Sequence, residues 1–239
     1  MENKSRLAII GAGALVVLGG AAIAGPSLYA SYSEDQVADA PSISMSARSN
    51  AAEGAATESA TNSAVLAGSW QVSDGSEAGY RVAEVLNGQD VIVTGRTSNV
   101  EGAFTVSDDG STLENAQFTV DVASITTDSD RRDSYFTSTT IDTANYPTAE
   151  LSVSEPVDLG TPVAGETVTV DVNGELTLAG VTQPVTFTVE VASDGSQVQV
   201  ASSIPITLSD YGIEAPSLGF VSVEESGAIE VQLVATPKD

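Results

Sequence analysis

From about Ala67 to Asp239 the chain places apolar residues at every second position. Val100-Gly102-Phe104-Val106 alternates with Glu101, Ala103 and Thr105, and Phe118-Val120-Val122 with Thr119 and Asp121. Val168-Val170-Val172, Val185-Phe187-Val189-Val191 and Ile229-Val231-Leu233 repeat the pattern, with Thr, Asp, Glu or Gln between. A period of two with a polar opposite face is the mark of half-buried antiparallel strands, and it excludes helices over these segments. Asn87-Gly88, Asp109-Gly110, Asp194-Gly195 and Ser226-Gly227 read as turns between them. Asn173-Gly174 has strand pattern on both sides and reads as a bulge or bend. About eight short strands in sequence imply a sandwich or an up-and-down barrel. One stretch breaks the alternation: Asp128 to Tyr146 is dense in Thr, Ser and Asp and holds a short helix capped by Asp128 or Ser129.

The residues ahead of this domain differ in kind. Leu7 to Ala24 carries no charge, and eighteen residues at ~1.5 Å each give about 27 Å, close to a bilayer core. Lys4 and Arg6 precede it, so the positive-inside rule predicts residues 1–6 in the cytoplasm, a single-pass anchor over 7–24 and the rest outside. A signal peptide cut after Ala22-Ile23-Ala24 is the alternative, and it leads to the same side of the membrane. Residues 25–66 are rich in Ala and Ser without sustained period, and read as a disordered linker.

Composition removes whole classes of chemistry. The chain of 239 residues has no His and no Cys. That excludes Ser-His-Asp arrangements, cysteine nucleophiles and Cys/His zinc sites. Its 33 acidic against 8 basic residues repel nucleic-acid phosphates and anionic membrane surfaces. Asp108-Asp109 and Glu224-Glu225 are adjacent, so on a strand they point to opposite faces and make no carboxylate pair. The reading is a non-enzyme with no metal site and no cofactor.

Three motifs carry a resemblance. The first is Ser124-Ile125-Thr126-Thr127, then Arg132-Asp133, then Tyr146-Pro147. The second runs from Val172 to Val185 and contains Gly174-Glu175-Leu176-Thr177 and Gly180-Val181-Thr182-Gln183-Pro184-Val185. The third is Ser209-Asp210-Tyr211-Gly212-Ile213. In this order, with Trp70 near the domain start, they resemble the YceI-like family of lipid-binding envelope proteins. The chain departs from the family pattern at Thr126, where Asp is usual, at Ala179, where His is frequent, and at Leu208, where Arg is usual. The resemblance implies an all-β fold: an eight-stranded antiparallel lipocalin-like barrel with a short helical segment, preceded here by the transmembrane helix and linker. It also implies an isoprenoid or quinone-type lipid held as ligand in an elongated apolar pore. Eight strands enclose room for side chains or one slender ligand.

The expected lipid-binding residues are Trp70, Tyr80, Phe104, Phe118, Val120, Val122, Phe136, Ile141 and Phe187. Arg131, Arg132 and Tyr135 are candidates for the polar end or a lid, Arg131-Arg132 being the domain's sole adjacent basic pair. The leading reading of the pair is a strut to Asp128, Asp130 or Asp133; contact with an anionic or polar lipid head, since Arg suits phosphate geometry, is the second. The expected partners are the lipid, the membrane through the N-terminal helix and, as a homodimer, a second copy. The competing reading is a barrel filled by its own side chains that acts in the envelope through its acidic surface.

Overall fold

The computed structural model describes residues 37–43 and 66–238. The predicted anchor and most of the predicted linker lie outside them. Eleven strands form one antiparallel sheet: β1 (Gly68–Val72), β2 (Glu77–Leu86), β3 (Gln89–Thr97), β4 (Val100–Val106), β5 (Thr112–Asp121), β6 (Thr148–Val153), β7 (Val157–Asp158), β8 (Thr167–Leu178), β9 (Val181–Ser193), β10 (Val198–Thr207) and β11 (Val221–Pro237). Eight of them close a barrel in the order β1-β4-β5-β6-β8-β9-β10-β11, with β11 returning to β1 through Trp70–Pro237 and Val72–Ala235.

The 17-residue β11 explains how the barrel is closed at one end and wide at the other. Its last residues take β1 as neighbour, whereas Val221 to Gln232 pair with β2. The β2–β3 hairpin therefore extends the wall where β1 has stopped. A bulge between Val223 and Gly227 bends β11 there. Ser226-Gly227, expected as a turn, is this bulge; a continuous strand runs through it. Asn87-Gly88 is a genuine hairpin turn, with φ of 52° and 82°. Asn173-Gly174 stays in register with Thr186 and Val185, so β8 passes straight through. A Cβ at Gly174 would stand 2.7 Å from the Ser152 carbonyl, so the neighbouring strand requires glycine.

The irregular stretch folds as α1 (Asp130–Tyr135) followed by a π-helical turn (Phe136–Thr140). Ser129 occupies the N-cap position, yet its side chain makes no capping bond. Instead Asp133 reaches back and accepts from the Thr127 N–H at 3.0 Å and the Thr127 hydroxyl at 2.7 Å. Arg96 and Thr126 exchange backbone hydrogen bonds, which ties this connection to the end of β3.

Two apolar clusters follow the barrel's length. Trp70, Phe104, Val106, Phe187, Val198 and Ala235 fill the closed end. Val122, Ile125, Ile141, Leu176, Leu178, Leu208, Tyr211 and Ile213 form the other under α1.

On the outer wall, Glu230 is only 2 % exposed. Arg81 Nε donates to it at 2.7 Å, and Arg96 forms a second ion pair with it. Residues 37–43 lie against this wall. The Ala38 N–H donates to Thr94 Oγ1 at 3.0 Å, and Arg81 Nη2 donates to the Ala38 carbonyl at 2.7 Å.

The hairpin's tight coiling yields a first prediction. A Cβ built on Gly79 would sit 1.8 Å from the Gly95 carbonyl oxygen, which is backbone and cannot swing away. Gly79→Ala is expected to lower stability by about 2–3 kcal/mol. Urea unfolding followed by Trp70 fluorescence checks this, and a loss under about 0.5 kcal/mol would show that the strands separate freely.

Candidate functional site

The sequence motifs converge on the wide end. Ile125 is buried beneath α1, and the Val122 N–H donates to the Pro147 carbonyl at 2.9 Å. The Tyr146 ring lies over Gly180, where a Cβ would come within 2.5 Å of it. Gln183 Nε2 donates to the Asp210 carbonyl at 2.8 Å, joining the second motif to the third. Gly212, with φ of 69°, ends the Leu208–Tyr211 turn and lets Tyr211 and Ile213 both point into the core. Of these residues Val122, Ile125, Leu208 and Ile213 line a cavity, and the contacts of the others tie together the segments that carry them.

That cavity has a volume of about 700 Å³. It lies between the barrel wall and the α1 segment. Tyr80, Val82 and Leu86 line it from β2, Val120 and Val122 from the β5 side, Ile206 and Leu208 from β10 and its end, and Phe136 and Ile141 from the covering segment. A narrower space of about 110 Å³ continues toward the closed end, lined by Phe104, Phe118, Leu151, Phe187 and Val200 among others. Val120, Ala149 and Ile229 border both and mark the neck between them.

Of the expected lipid-binding residues, Tyr80, Val120, Val122, Phe136 and Ile141 line the large cavity. Phe104, Phe118 and Phe187 line the narrow one, together with Val120. Trp70 lines neither. It plugs the closed end, with its indole N–H donated to the Leu66 carbonyl at 2.8 Å and its ring stacked on Phe104 at 6.3 Å. Position in β1, which touches β11 only at its last residues, puts it there.

Charge inside the site is sparse and paired. Glu84, Arg131 and Arg132 are the charged residues lining the large cavity. Glu84 is buried, and Arg132 Nη2 donates to its Oε1 at 3.3 Å. Arg132 also pairs with Asp128 one helical turn earlier. It is therefore a strut from the covering segment to β2, and Glu84 is the partner that the local acids could not reveal. Arg131 is exposed at the mouth, and Tyr135 is half-buried beside it.

The sequence reading missed Glu84; the one signal for it is alternation, which puts Tyr80, Val82, Glu84 and Leu86 on one face. Ala149, Ala179 and Leu208 also line these spaces, and as small or aliphatic residues they carry no signal of their own. Among the described residues no group of three or more metal-ligating side chains is arranged to hold an ion.

Tyr80 stacks on Phe136, with ring centres 5.1 Å apart. Burial raises its pKa well above the ordinary tyrosine range, and the nearby Arg132 charge offsets only part of that. A phenol whose proton is held more tightly in the folded state contributes stability that is present below pH ~10 and lost as the pH rises past it. Tyr211 is also buried and its pKa is likewise raised by burial, so tyrosinate absorbance is expected to show a late-ionising fraction from both rings, and Tyr80→Phe should remove the Tyr80 share of it. A Tyr80 that titrates with the exposed rings would contradict its burial.

The family model for the YceI-like domain matches residues 70–235. The chain belongs to the YceI-like family. The solved structures agree with this fold. A polyisoprenoid binding domain from Saccharophagus degradans, implicated in plant cell wall breakdown, aligns with a TM-score of 0.58 at 22 % identity, covering 72 % of this chain and 99 % of that one. BcnA of Burkholderia cenocepacia aligns at 0.52 and 23 % identity, covering 66 % and 96 %. The Campylobacter jejuni YCEI protein aligns at 0.50 and 17 % identity, covering 61 % and 85 %. A search of curated protein sequences gave no match. At these identities the structural likenesses speak for the fold, and this YceI-like domain has the closed eight-stranded antiparallel barrel with its short helix.

Proposed function

We propose that this YceI-like domain binds a slender apolar lipid of the isoprenoid or quinone type, with the tail in the large cavity and its end directed through the neck. The observation that carries this reading is the cavity itself: about 700 Å³ lined almost wholly by apolar side chains. Small-molecule sites commonly measure ~300–1,000 Å³. Each buried methylene contributes roughly 0.8 kcal/mol, so a long tail binds without charged contacts. Where the family pattern has His and Arg, this chain presents Ala179 and Leu208 to the cavity. That favours a cargo with a small polar end. The Glu84–Arg132 pair and the Tyr80 hydroxyl are the groups such an end would meet. The S. degradans domain is described as polyisoprenoid binding, which supports the same ligand class. A barrel filled by its own side chains is disfavoured by the volume left open.

In this reading the uncharged run Leu7–Ala24 tethers the domain to a membrane on its outer side, and the linker gives it reach. The protein sequesters or carries its lipid by burial alone. Native mass spectrometry of detergent-stripped protein titrated with a polyprenol is expected to give a one-to-one complex. Protein that stays unloaded with polyprenol and with a quinone would refute the reading.

A further inference from the structure

Large apolar side chains are rarely left in water on this domain. Two of the most exposed, Leu218 at 49 % and Phe220 at 59 %, stand two residues apart. They occupy the tip of a small hairpin ahead of β11. The Leu218 N–H donates to the Val221 carbonyl at 2.8 Å, Ser217 bridges Ser222, and the Val223 N–H donates to the Pro216 carbonyl at 2.9 Å. Gly219, with φ of 78°, supplies the positive angle that a two-residue turn needs at its first position. The Phe220 carbonyl accepts from the Asn87 N–H at 2.7 Å, which fastens the tip to the β2–β3 turn. The exposure is therefore built into an ordered hairpin.

The same two side chains border the mouth of the large cavity. Ala215 to Val223 carries no charge, whereas Glu214, Glu224 and Glu225 flank it. After residue 65 the chain has 27 acidic and 5 basic residues. A tip without charge on so acidic a body suits a neutral lipid surface and is repelled by an anionic one. Arg131, exposed at this mouth, suits the phosphate of a zwitterionic headgroup.

We infer that the Pro216–Val223 hairpin inserts Leu218 and Phe220 into a neutral bilayer surface and seats the cavity mouth there, so that the lipid passes between bilayer and barrel without crossing water. The inference rests on the lipid-binding reading for its purpose, but the docking itself is measured independently of cargo. The sequence has no Cys, so Ser217→Cys in the full chain accepts a single environment-sensitive fluorophore.

With the full chain in phosphatidylcholine vesicles, the probe at position 217 is expected to shift to the blue and to be quenched by brominated lipid. The same probe on Ser196→Cys, in the β9–β10 turn at the closed end, should do neither. Leu218→Ser with Phe220→Ser should abolish the shift. It should also reduce polyprenol uptake from vesicles, relative to uptake from detergent, on the order of ten- to a hundredfold, since burying a Leu or Phe is worth about tenfold or more each. Vesicles with added anionic lipid should weaken the shift at low salt. A probe at 217 that stays in water, or one at 196 that shifts equally, would overturn the docking. If the wild-type chain takes up no polyprenol even from detergent, the cargo reading fails while the probe still decides the docking.

Discussion

Replacing Glu230 with alanine is expected to destabilise the domain by about 3 kcal/mol, although its position in the alternating pattern marks it as an outward-facing strand residue. The carboxylate is 2 % exposed and accepts from Arg81 and Arg96. Removing it leaves two guanidinium groups side by side without their anion. Arg96 keeps its bonds to the Tyr80 and Gly95 carbonyls, both at 3.0 Å, and so cannot swing out to solvent without losing them. Glu230→Gln retains a hydrogen-bonding group and should cost less. Because Arg81 also donates to the Ala38 carbonyl, the alanine variant should additionally speed hydrogen exchange at the Ala38 amide. Urea unfolding and exchange rates measure both effects. A loss below about 1 kcal/mol, the range of surface pairs, would show that the cluster behaves as an exposed one.

Filling the neck should have the largest effect on binding. Ala149 lies between the large cavity and the narrow one and pairs with Val120 across β5 and β6. Phenylalanine there projects its ring into space that is now open, so the fold should tolerate it within about 1.5 kcal/mol. A lipid tail threading the neck would meet the ring. Binding of a long polyprenol is expected to weaken on the order of a hundredfold, which corresponds to excluding only a few methylenes at ~0.8 kcal/mol each. A short isoprenoid confined to the large cavity should lose far less. Equal affinity of Ala149→Phe and wild type for the long chain would place the tail elsewhere.

The parts of this structure that were legible in the sequence are those that depend on local period. Alternation assigned Phe104, Phe118, Val120 and Phe187 to the inner face because strand side chains alternate without exception along an unbroken strand. The long connection was found because it lacks that period. What the sequence hid depends on contacts across long separations. Glu230 meets Arg81 and Arg96 only after β11 and β2 pair, and Arg132 finds Glu84 only when α1 folds over the barrel mouth. Ser226-Gly227 has turn chemistry, but the pairing of β11 with β10 on one side and β2 on the other absorbs it as a bulge. Trp70 was expected among the lipid-binding residues, having entered with the resemblance as the Trp near the domain start. Its place at the closed end follows from ring closure between β1 and β11, which no single strand encodes.

Occupancy of the large cavity by a lipid is best measured on protein purified without detergent from a host that makes isoprenoid lipids. Its organic extract is analysed by mass spectrometry, with Ala149→Phe prepared in parallel. An isoprenoid lipid in near-stoichiometric amount is expected from the wild-type chain, and a marked depletion of long-chain species from the variant. A stable wild-type protein that yields no lipid, and that takes up none when it is supplied, would contradict that occupancy.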